Sequence, residues 1–209
     1  MRVLLVDDHA VVRRGIRDLL AEAFADAVFE EASTGEEAVA LVREGNFQLV
    51  VLDISMPRRG GMDALKEIQA ELPKLPVLVL SQHAEEQYAI RALRAGAAGY
   101  LTKDCAADEL VRAARKALSG GKYVSEVLAE KLAGELTSGA GPRPHDLLSD
   151  RELQVMLMLA QGKAVKEIAA DLSLSEKTIS TYRARILEKT NMKSNAELMR
   201  YALASGLVE

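Results

Sequence analysis

The sequence predicts an α/β domain with a doubly wound (βα)5 sheet, joined by a linker to a smaller all-α domain of four helices. Over the first 120 residues, five short apolar runs alternate with amphipathic segments. A stretch rich in Gly, Pro and small polar residues, 137–146, is typical of a linker. Beyond it only helical periodicity remains. We therefore expect domains at 1–120 and 146–209, with a linker carrying one helix at 121–145.

The apolar runs are continuous and rich in Val and Leu, which favours parallel strands buried on both faces. They lie at 3–6, 27–32 (a weaker run), 49–52, 77–80 and 97–101. Residues between them recur with helical spacing, and right-handed crossovers would place those helices on both faces of the sheet. Further helices are expected at 122–135, 149–161, 165–172, 176–189 and 194–205.

Composition narrows the class of protein. Of the 209 residues 49% are hydrophobic but only 4% aromatic, so the cores must be mostly aliphatic. The single cysteine, Cys105, forms no internal disulfide, which fits a reducing compartment, and Cys/His metal clusters are absent from the sequence. The N-terminal apolar stretch is too short for a signal peptide, and no run reaches the roughly 18 residues of a membrane span. We expect a cytoplasmic protein with no membrane partner.

The net charge of −4 hides an asymmetry between the two halves. Residues 1–142 carry 17 Lys and Arg against 22 Asp and Glu, whereas residues 143–209 carry 10 against 9. Within 177–193, five basic residues stand against Glu188 alone. A local basic stripe matters more for contact with nucleic-acid phosphates than net charge does.

Polar residues follow the predicted strands in a pattern that indicates a site. Asp7 and Asp8 end the first strand and Asp53 the third. Ser81 ends the fourth, and Lys103 closely follows the fifth. Because the carboxyl ends of parallel strands share one edge of the sheet, these side chains should converge.

This group of residues suits phosphoryl chemistry. Clustered carboxylates repel each other, need a cation, and as hard oxygen ligands select Mg²⁺. Asp53 can then act as a nucleophile and form an acyl phosphate. Lys103 would neutralise the phosphoryl oxygens and Ser81 would donate a hydrogen bond to one of them.

Residues 1–120 resemble the receiver domains of two-component response regulators, which have a flavodoxin-like fold. The motifs that carry the resemblance are VDDH (6–9), LDISMP (52–57), LSQH (80–83) and GYLTK (99–103). It implies that Asp8, Asp53 and the backbone carbonyl of Ser55 bind Mg²⁺, with Asp7 helping through water.

The resemblance also assigns roles around the phosphoryl group. It implies Asp53 as the phosphoacceptor, Ser81 as the switch hydroxyl and Tyr100 as the aromatic residue that turns inward. Ser55 and His83 would flank the phosphoryl group and tune its hydrolysis. His9 and His145 are expected to be surface residues rather than catalysts, and Cys105 to be inert.

The second half contains the pattern of a helix-turn-helix. Ser149 and Glu152 form a predicted capping box, and Ser175 is a predicted N-cap of the helix at 176–189. On that helix Ile179, Tyr182 and Ile186 share one face, by i, i+3, i+7 spacing. The opposite face and its shoulder carry small polar and basic residues, which suits a helix that fits the DNA major groove.

Residues 146–207 resemble the LuxR-type, or NarL/FixJ, four-helix output domain, through LSDRE (148–152) and GKAVKEIAADLSLSEKTIS (162–180). The segment TISTYRARILEKT is similar to the branch with the GacA and BvgA regulators. The resemblance implies homodimeric binding to inverted repeats in promoter DNA, with helix 194–205 as the dimer contact. We expect base contacts from Lys177, Ser180, Thr181 and Ala184. We expect phosphate contacts from Lys166, Thr178, Arg183, Arg185 and Lys189.

Together the halves predict a two-component response regulator. A sensor histidine kinase would phosphorylate Asp53, which would control dimerisation and sequence-specific DNA binding, with RNA polymerase as a further expected partner. The protein would be no enzyme beyond its own phosphorylation and dephosphorylation. The alternative is a DNA-binding regulator with a degenerate receiver that ignores phosphate.

Two other classes of protein fit the sequence less well. A Mg²⁺-dependent phosphatase or phosphotransferase would use the same acidic site, but no second catalytic domain and no GxxxxGK loop is present. A dinucleotide-binding protein is disfavoured because the first βα turn is Asp-Asp-His-Ala, without GxGxxG, and its acids would repel a pyrophosphate.

Overall fold

A computed structural model describes residues 1–56, 60–82, 85–138 and 143–208 of the chain. Within them the chain divides into two compact units, Met1–Leu132 and Ala133–Glu209, and the division falls inside one helix. No helix in these ranges combines the length and the apolar character needed to cross a bilayer. The two units are taken in turn.

The first unit is a five-stranded sheet with helices between successive strands. The strands are β1 (Arg2–Val6), β2 (Val28–Ala32), β3 (Leu49–Leu52), β4 (Val77–Ser81) and β5 (Gly99–Thr102). The helices are α1 (Ala10–Ala23), α2 (Gly35–Glu44), α3 (Gly61–Glu71), α4 (Glu85–Arg94) and α5 (Ala107–Leu118). The strand order is β2-β1-β3-β4-β5, and every neighbouring pair is parallel. The predicted doubly wound sheet is confirmed.

The core of this unit is mostly aliphatic, as the scarcity of aromatic residues requires. All four residues of β3 and all five of β4 are buried, so these strands lie at the centre of the sheet. Ile16 and Leu20 of α1 pack with Leu110 and Ala114 of α5 in one cluster that includes alternate residues of the strands. Truncating such a buried Leu to Ala typically costs about 2–5 kcal/mol. This packing holds the strands in place and therefore also the edge of the sheet where they end.

The second unit is helical. It contains the end of α6 (Glu126–Ser138), a 3-10 turn (Pro144–Leu147), α7 (Asp150–Ala160), α8 (Val165–Asp171), α9 (Glu176–Thr190) and α10 (Asn195–Ala204). Helix α7 contacts both α9 and α10, and α8 contacts α9. Its core consists of aliphatic side chains such as Leu153, Ile168, Ile179 and Leu198.

Helix ends in this unit follow their sequence signals. Ser149 accepts a hydrogen bond from the Glu152 amide, while Glu152 accepts one from the Ser149 amide, which confirms the capping box. Ser175 caps α9 by accepting from the Thr178 amide. Asn191, with φ of 55°, ends α9 in the left-handed conformation that Asn tolerates. These caps set the bounds of the helices expected from the sequence to within one residue.

Candidate acidic site and nucleic-acid interface

Two buried carboxylates lie side by side where β1 and β3 end. Val6 is paired with Leu52, so the residues that follow, Asp7 and Asp53, leave the sheet together. The Asp53 amide donates to the Val6 carbonyl over 2.8 Å, which extends the ladder by one step. Each aspartate is only 1% exposed. The convergence predicted for strand ends is thus confirmed for this pair.

Lys103 bridges these two carboxylates. Its Nζ lies 2.7 Å from Asp53 Oδ2 and 2.7 Å from Asp7 Oδ2. The lysine reaches them because β5 runs beside β4, with Thr102 opposite Ser81 and the Lys103 amide donating to the Ser81 carbonyl over 2.8 Å. One ammonium therefore balances two carboxylates in a largely buried site.

The site perturbs the protonation of both partners. Burial raises the pKa of Asp53, although bonds from Lys103 and from the Ser55 amide oppose that shift. Burial lowers the pKa of Lys103, but its hydrogen bond to Asp53 and its ion pair with Asp7 outweigh this effect and the pKa is raised. Lys103 therefore stays charged at neutral pH and serves as a fixed cation beside Asp53.

Two serines complete the surroundings of Asp53. The Ser55 amide donates to Asp53 Oδ1 over 2.7 Å, and the Ser55 and Ser81 hydroxyl oxygens lie 3.1 Å apart. Gly61 lies against the end of β3, where a Cβ would be 2.1 Å from the Asp53 carbonyl oxygen. This close approach of α3 to Asp53 thus depends on the absence of a side chain at 61.

The acidic cluster also fits a divalent cation. Asp7, Asp8, His9 and Asp53 each offer one ligand atom, and these atoms lie within 4.8 Å of one another. Among the described residues, buried Asp7 Oδ2 has no hydrogen-bond donor of good geometry; the nearby lysine acts as its counterion. The carboxylate oxygens of this group are the hard ligands that Mg²⁺ prefers, so the donor set fits that ion.

His9 belongs to this cluster, which sequence reasoning missed. Its Nδ1 lies 2.9 Å from Asp8 Oδ1, and its amide donates to Asp7 Oδ1 over 2.8 Å. The position directly after two acids was the available signal. As expected, its side chain is largely exposed, at 56%.

Three further residues with expectations from the sequence are Tyr100, His83 and Cys105. Tyr100 is fully buried in β5, opposite Val79, one residue after Gly99. His83 lies outside the described residues. Cys105 is half-buried, and burial raises the pKa of its thiol to about 11, which agrees with the expected inertness.

Helices α8 and α9 have helix-turn-helix geometry. The turn between them passes through Ser173, whose φ of 53° lies in the left-handed region. Ile179 and Ile186 of α9 are buried and Tyr182 is half-buried, as the predicted inner face requires. The predicted outer positions that are exposed comprise Lys166 of α8 and Lys177, Ser180, Thr181, Ala184, Arg185 and Lys189 of α9.

Four of the predicted DNA contacts make side-chain bonds within the helical unit, among them Thr181, whose hydroxyl donates to the Lys177 carbonyl over 2.9 Å. Arg183 Nε donates to Asn195 Oδ1 over 2.6 Å and ties α9 to the start of α10. Lys189 Nζ donates over 2.6 Å to Glu152 Oε2, a nearly buried carboxylate of the α7 capping box. Thr178 takes part in the cap of α9. These side chains therefore have a structural role that sequence spacing did not indicate.

The expectation that His145 lies at the surface was wrong. His145 is 4% exposed, and its Nδ1 lies 2.6 Å from the Tyr201 hydroxyl of α10. It is buried because the 3-10 turn Pro144–Leu147 folds onto the helical unit, where it contacts α9. The end of the predicted linker is thus part of that unit.

Comparison with known proteins gives the same division. Residues 3–115 match the family described as "Response regulator receiver domain", and residues 146–202 match "Bacterial regulatory proteins, luxR family". The response regulator UvrY of Escherichia coli (strain K12) is 39% identical over 208 residues, which cover 99% of this chain and 95% of UvrY.

Two further matches extend over nearly the whole chain. The response regulator GacA of Pseudomonas aeruginosa is 38% identical over 210 residues, covering 100% of this chain and 98% of GacA. A structure of RcsB from Salmonella enterica serovar Typhimurium, bound to promoter rprA in the presence of the phosphomimetic BeF3⁻, has a TM-score of 0.66. It is 27% identical and covers 96% of this chain and 97% of that one.

Proposed function

The chain belongs to the two-component response regulators that join a receiver to a LuxR-family DNA-binding domain, and from this premise we propose that phosphorylation of Asp53 controls its binding to promoter DNA. The observation that carries the proposal is the arrangement around Asp53. A buried carboxylate there pairs with a fixed ammonium beside a second carboxylate and accepts from the Ser55 amide, and the Ser55 hydroxyl lies 3.1 Å from that of Ser81.

The chain's own residues account for the transfer step. Asp53 Oδ attacks phosphorus in the phosphohistidine of a sensor kinase; the P–N bond breaks and an acyl phosphate forms. Lys103 moves from pairing with two carboxylates to pairing with the phosphoryl oxygens. Ser81, whose hydroxyl lies 3.1 Å from that of Ser55, donates a hydrogen bond to one oxygen.

A magnesium ion would be held by Asp8, Asp53 and the carbonyl of Ser55, with Asp7 acting through water. It would supply positive charge that stabilises the incoming phosphoryl group. Ser55 and His83 would flank the phosphoryl group and set its rate of hydrolysis. Tyr100, already buried in this structure, would keep that inward position in the phosphorylated state.

For the DNA-binding half we propose that α9 enters the major groove. Lys177, Ser180, Thr181 and Ala184 would contact bases, with the Ala184 methyl suited to a thymine methyl. Lys166, Thr178, Arg183, Arg185 and Lys189 would contact phosphates. Within this group Arg185 is exposed and is our primary phosphate contact.

The active form is proposed to be a homodimer on an inverted repeat, with α10 as the contact. Met199 and Leu203, four residues apart on α10, are 38% and 50% exposed and form an apolar stripe suited to such a contact. RNA polymerase is a further proposed partner. Since promoter DNA lies in the bacterial cytoplasm, we place the protein there.

The experiment selects bound DNA from a random pool and then measures its affinity with and without a small-molecule phosphodonor. Phosphodonor should change the affinity of the wild-type chain and leave that of Asp53→Asn unchanged. An unchanged wild-type affinity, with phosphorylation verified by mass, would support instead a regulator that ignores phosphate. Turnover of an external phosphate ester would support the enzyme alternative.

A further inference from the structure

Residues 121–125, called the edge segment here, extend the sheet beyond β5. The Tyr123 amide donates to the Ala98 carbonyl over 2.7 Å, and Tyr123 forms a parallel bridge with Gly99. Gly99 also pairs with Leu78 of β4, so the edge segment occupies the opposite side of β5. Part of the predicted linker is therefore built into the receiver sheet.

The Tyr123 side chain anchors the edge segment to α5. Its ring packs against the core cluster that includes Ala98, Leu101 and Leu110. Its hydroxyl donates to Glu109 Oε1 over 2.8 Å. Burial raises the pKa of Tyr123 to about 12, so the hydroxyl keeps its proton and remains a donor.

Lys122 adds a third anchor, at the loop between α4 and β5. Its Nζ donates to the Gly96 carbonyl over 3.0 Å and to the Ala97 carbonyl over 2.6 Å. The edge segment is thus bonded to the start of β5, to α5 and to the loop between α4 and β5.

The backbone of Tyr123 approaches Gly99 so closely that the contact requires glycine at position 99. A Cβ at 99 would lie 2.9 Å from the Tyr123 Cβ and 3.0 Å from the Tyr123 carbonyl oxygen. Real Cβ atoms do not tolerate such a distance to another Cβ without a shift, so only glycine admits the edge segment at this spacing.

The other end of β5 leads to the acidic site. Lys103 directly follows the strand and contacts Asp53 and Asp7, and its amide is bonded to Ser81. Ala98 and Lys103 are five residues apart, about 16 Å in an extended strand. Gly99–Thr102 pair with Leu78–Ser81 along their whole length, so β5 is a continuous connection between Lys103 and the Ala98–Tyr123 bond.

Helix α6 begins directly after the edge segment. The Ser125 hydroxyl accepts from the Leu128 amide over 3.1 Å, and the Ser125 carbonyl accepts from the Ala129 amide over 2.9 Å. Leu128 is buried, and α6 continues past Leu132, where the two units divide. Only Val124 and Ser125 separate Tyr123 from this helix, which leaves little slack between sheet and helix.

We propose that the edge segment transmits the phosphorylation state of Asp53 from β5 to α6, with Tyr123 as the positioning residue. The proposal rests on the function proposed above. When Lys103 and Ser81 bind the phosphoryl group, β5 shifts and the bonds at Ala98, Glu109 and Gly96 change. Phosphorylation acts on α6 only through contacts that differ between the two states.

The first test follows the Tyr123 amide by hydrogen exchange in the full chain, with and without beryllofluoride and Mg²⁺. Its exchange rate should change at least fivefold in the wild type and stay constant in Asp53→Asn. The Val28 amide, which donates to Met1 at the far edge of the sheet, is the internal control and should not respond. An unchanged Tyr123 amide in the beryllofluoride-bound wild type overturns the proposal.

The second test uses Tyr123→Phe, which keeps the ring in the core and removes only the bond to Glu109. Phosphorylation and unphosphorylated DNA affinity should stay within twofold of wild type, while the phosphorylation-dependent change in affinity should fall at least threefold. Glu109→Gln retains an acceptor oxygen for the tyrosine hydroxyl and should preserve that change. A full response in Tyr123→Phe overturns the proposal.

The two tests separate this inference from the function it rests on. If phosphorylation leaves the DNA affinity of the wild type unchanged, the proposed function fails, and hydrogen exchange still reports whether β5 and the edge segment respond. If phosphorylation changes the DNA affinity of the wild type, but the exchange rate of the Tyr123 amide is unchanged or Tyr123→Phe keeps the full response, the inference fails and the proposed function stands.

Discussion

The ammonium of Lys103 and the carboxylate of Asp53 form an ion pair, with 2.7 Å between Nζ and Oδ2, inside a site that also buries Asp7. One positive charge therefore balances two buried negative charges, and the exposed residue Asp8 adds a third acid nearby. This excess of negative charge favours the binding of a divalent cation at the site. It also makes Lys103 a structural residue before any phosphate arrives.

Lys103→Met should destabilise the receiver in Mg²⁺-free buffer. Removing one partner of a buried ion pair leaves an uncompensated charge and costs about 3–5 kcal/mol; here two carboxylates lose their shared cation. Urea unfolding measures the loss. Lys116→Met, at an exposed position of α5, is the matched control and should lie within about 0.5 kcal/mol of wild type.

Magnesium should restore more stability to Lys103→Met than to the wild type, since the ion then supplies the missing positive charge. Equal stability of the variant and the wild type in Mg²⁺-free buffer would show that the carboxylates do not depend on the lysine.

Lys189→Met should destabilise the helical unit in a pH-dependent way. Burial alone raises the pKa of Glu152, but bonds from Lys189 and Ser149 outweigh it and hold the pKa below its ordinary value of 4.5. A carboxyl with a lowered pKa stabilises the fold above that ordinary value, and the contribution is lost as the pH falls through the folded pKa.

The deficit of Lys189→Met should therefore be about 1–3 kcal/mol at pH 7 and shrink below pH 4.5. Unfolding of the full chain across this pH range measures it. A deficit that grew as the pH fell would contradict the assignment of Lys189 as the partner of Glu152.

Central strands were the most predictable part of the fold. The run at 49–52 became β3 with the same bounds, because a strand buried on both faces must be apolar throughout. The weak run at 27–32 became β2, whose outer position makes Val28 and Glu31 exposed. An edge strand leaves only a partial pattern, so its sequence signal is weaker.

The misplaced boundaries are explained by hydrogen bonds that the hydrophobic periodicity does not show. The run at 97–101 became β5 at Gly99–Thr102, because the Ala97 amide donates to Ala92 and closes α4. The helix expected from 122 begins at Glu126, because Tyr123 pairs with β5. Local periodicity carries no information on either contact.

Motifs predicted which residues form the site, but not how they pair. The single lysine between Asp7 and Asp53 and the contact between Ser55 and Ser81 depend on side-chain placement at the strand ends. Likewise, the bond from Arg183 to Asn195 depends on the packing of α9 against α10. Sequence relatives confirm the expected GacA-like branch of the family.

Gly61→Ala should destabilise the receiver and slow its phosphorylation. The new Cβ would lie 2.1 Å from the Asp53 carbonyl oxygen and 2.5 Å from the Ile54 Cα, and backbone atoms at such distances must move. We expect a loss of more than about 2 kcal/mol, in the range of severe core changes. Urea unfolding and the rate of phosphorylation by a small-molecule donor measure the two effects.

Gly60→Ala is the matched control for that variant. No atom of the described residues lies within 4 Å of a Cβ at 60, and the φ of −59° suits alanine. This substitution should cost no more than about 1 kcal/mol, because alanine is a poorer N-cap for α3 than glycine but lowers the entropy of the unfolded chain. Similar losses in both variants would contradict the steric explanation.

Arg185→Ala should weaken binding to all DNA sequences alike. Arg185 is exposed on α9, and a phosphate contact releases about one counterion, so the slope of log K against log salt should flatten by about one. Stability should stay within about 0.5 kcal/mol of wild type, unlike that of Lys189→Met, because an exposed side chain leaves no buried carboxylate behind. Titration of selected and scrambled DNA at several salt concentrations measures the slope. A loss confined to one base position would instead assign Arg185 to base recognition.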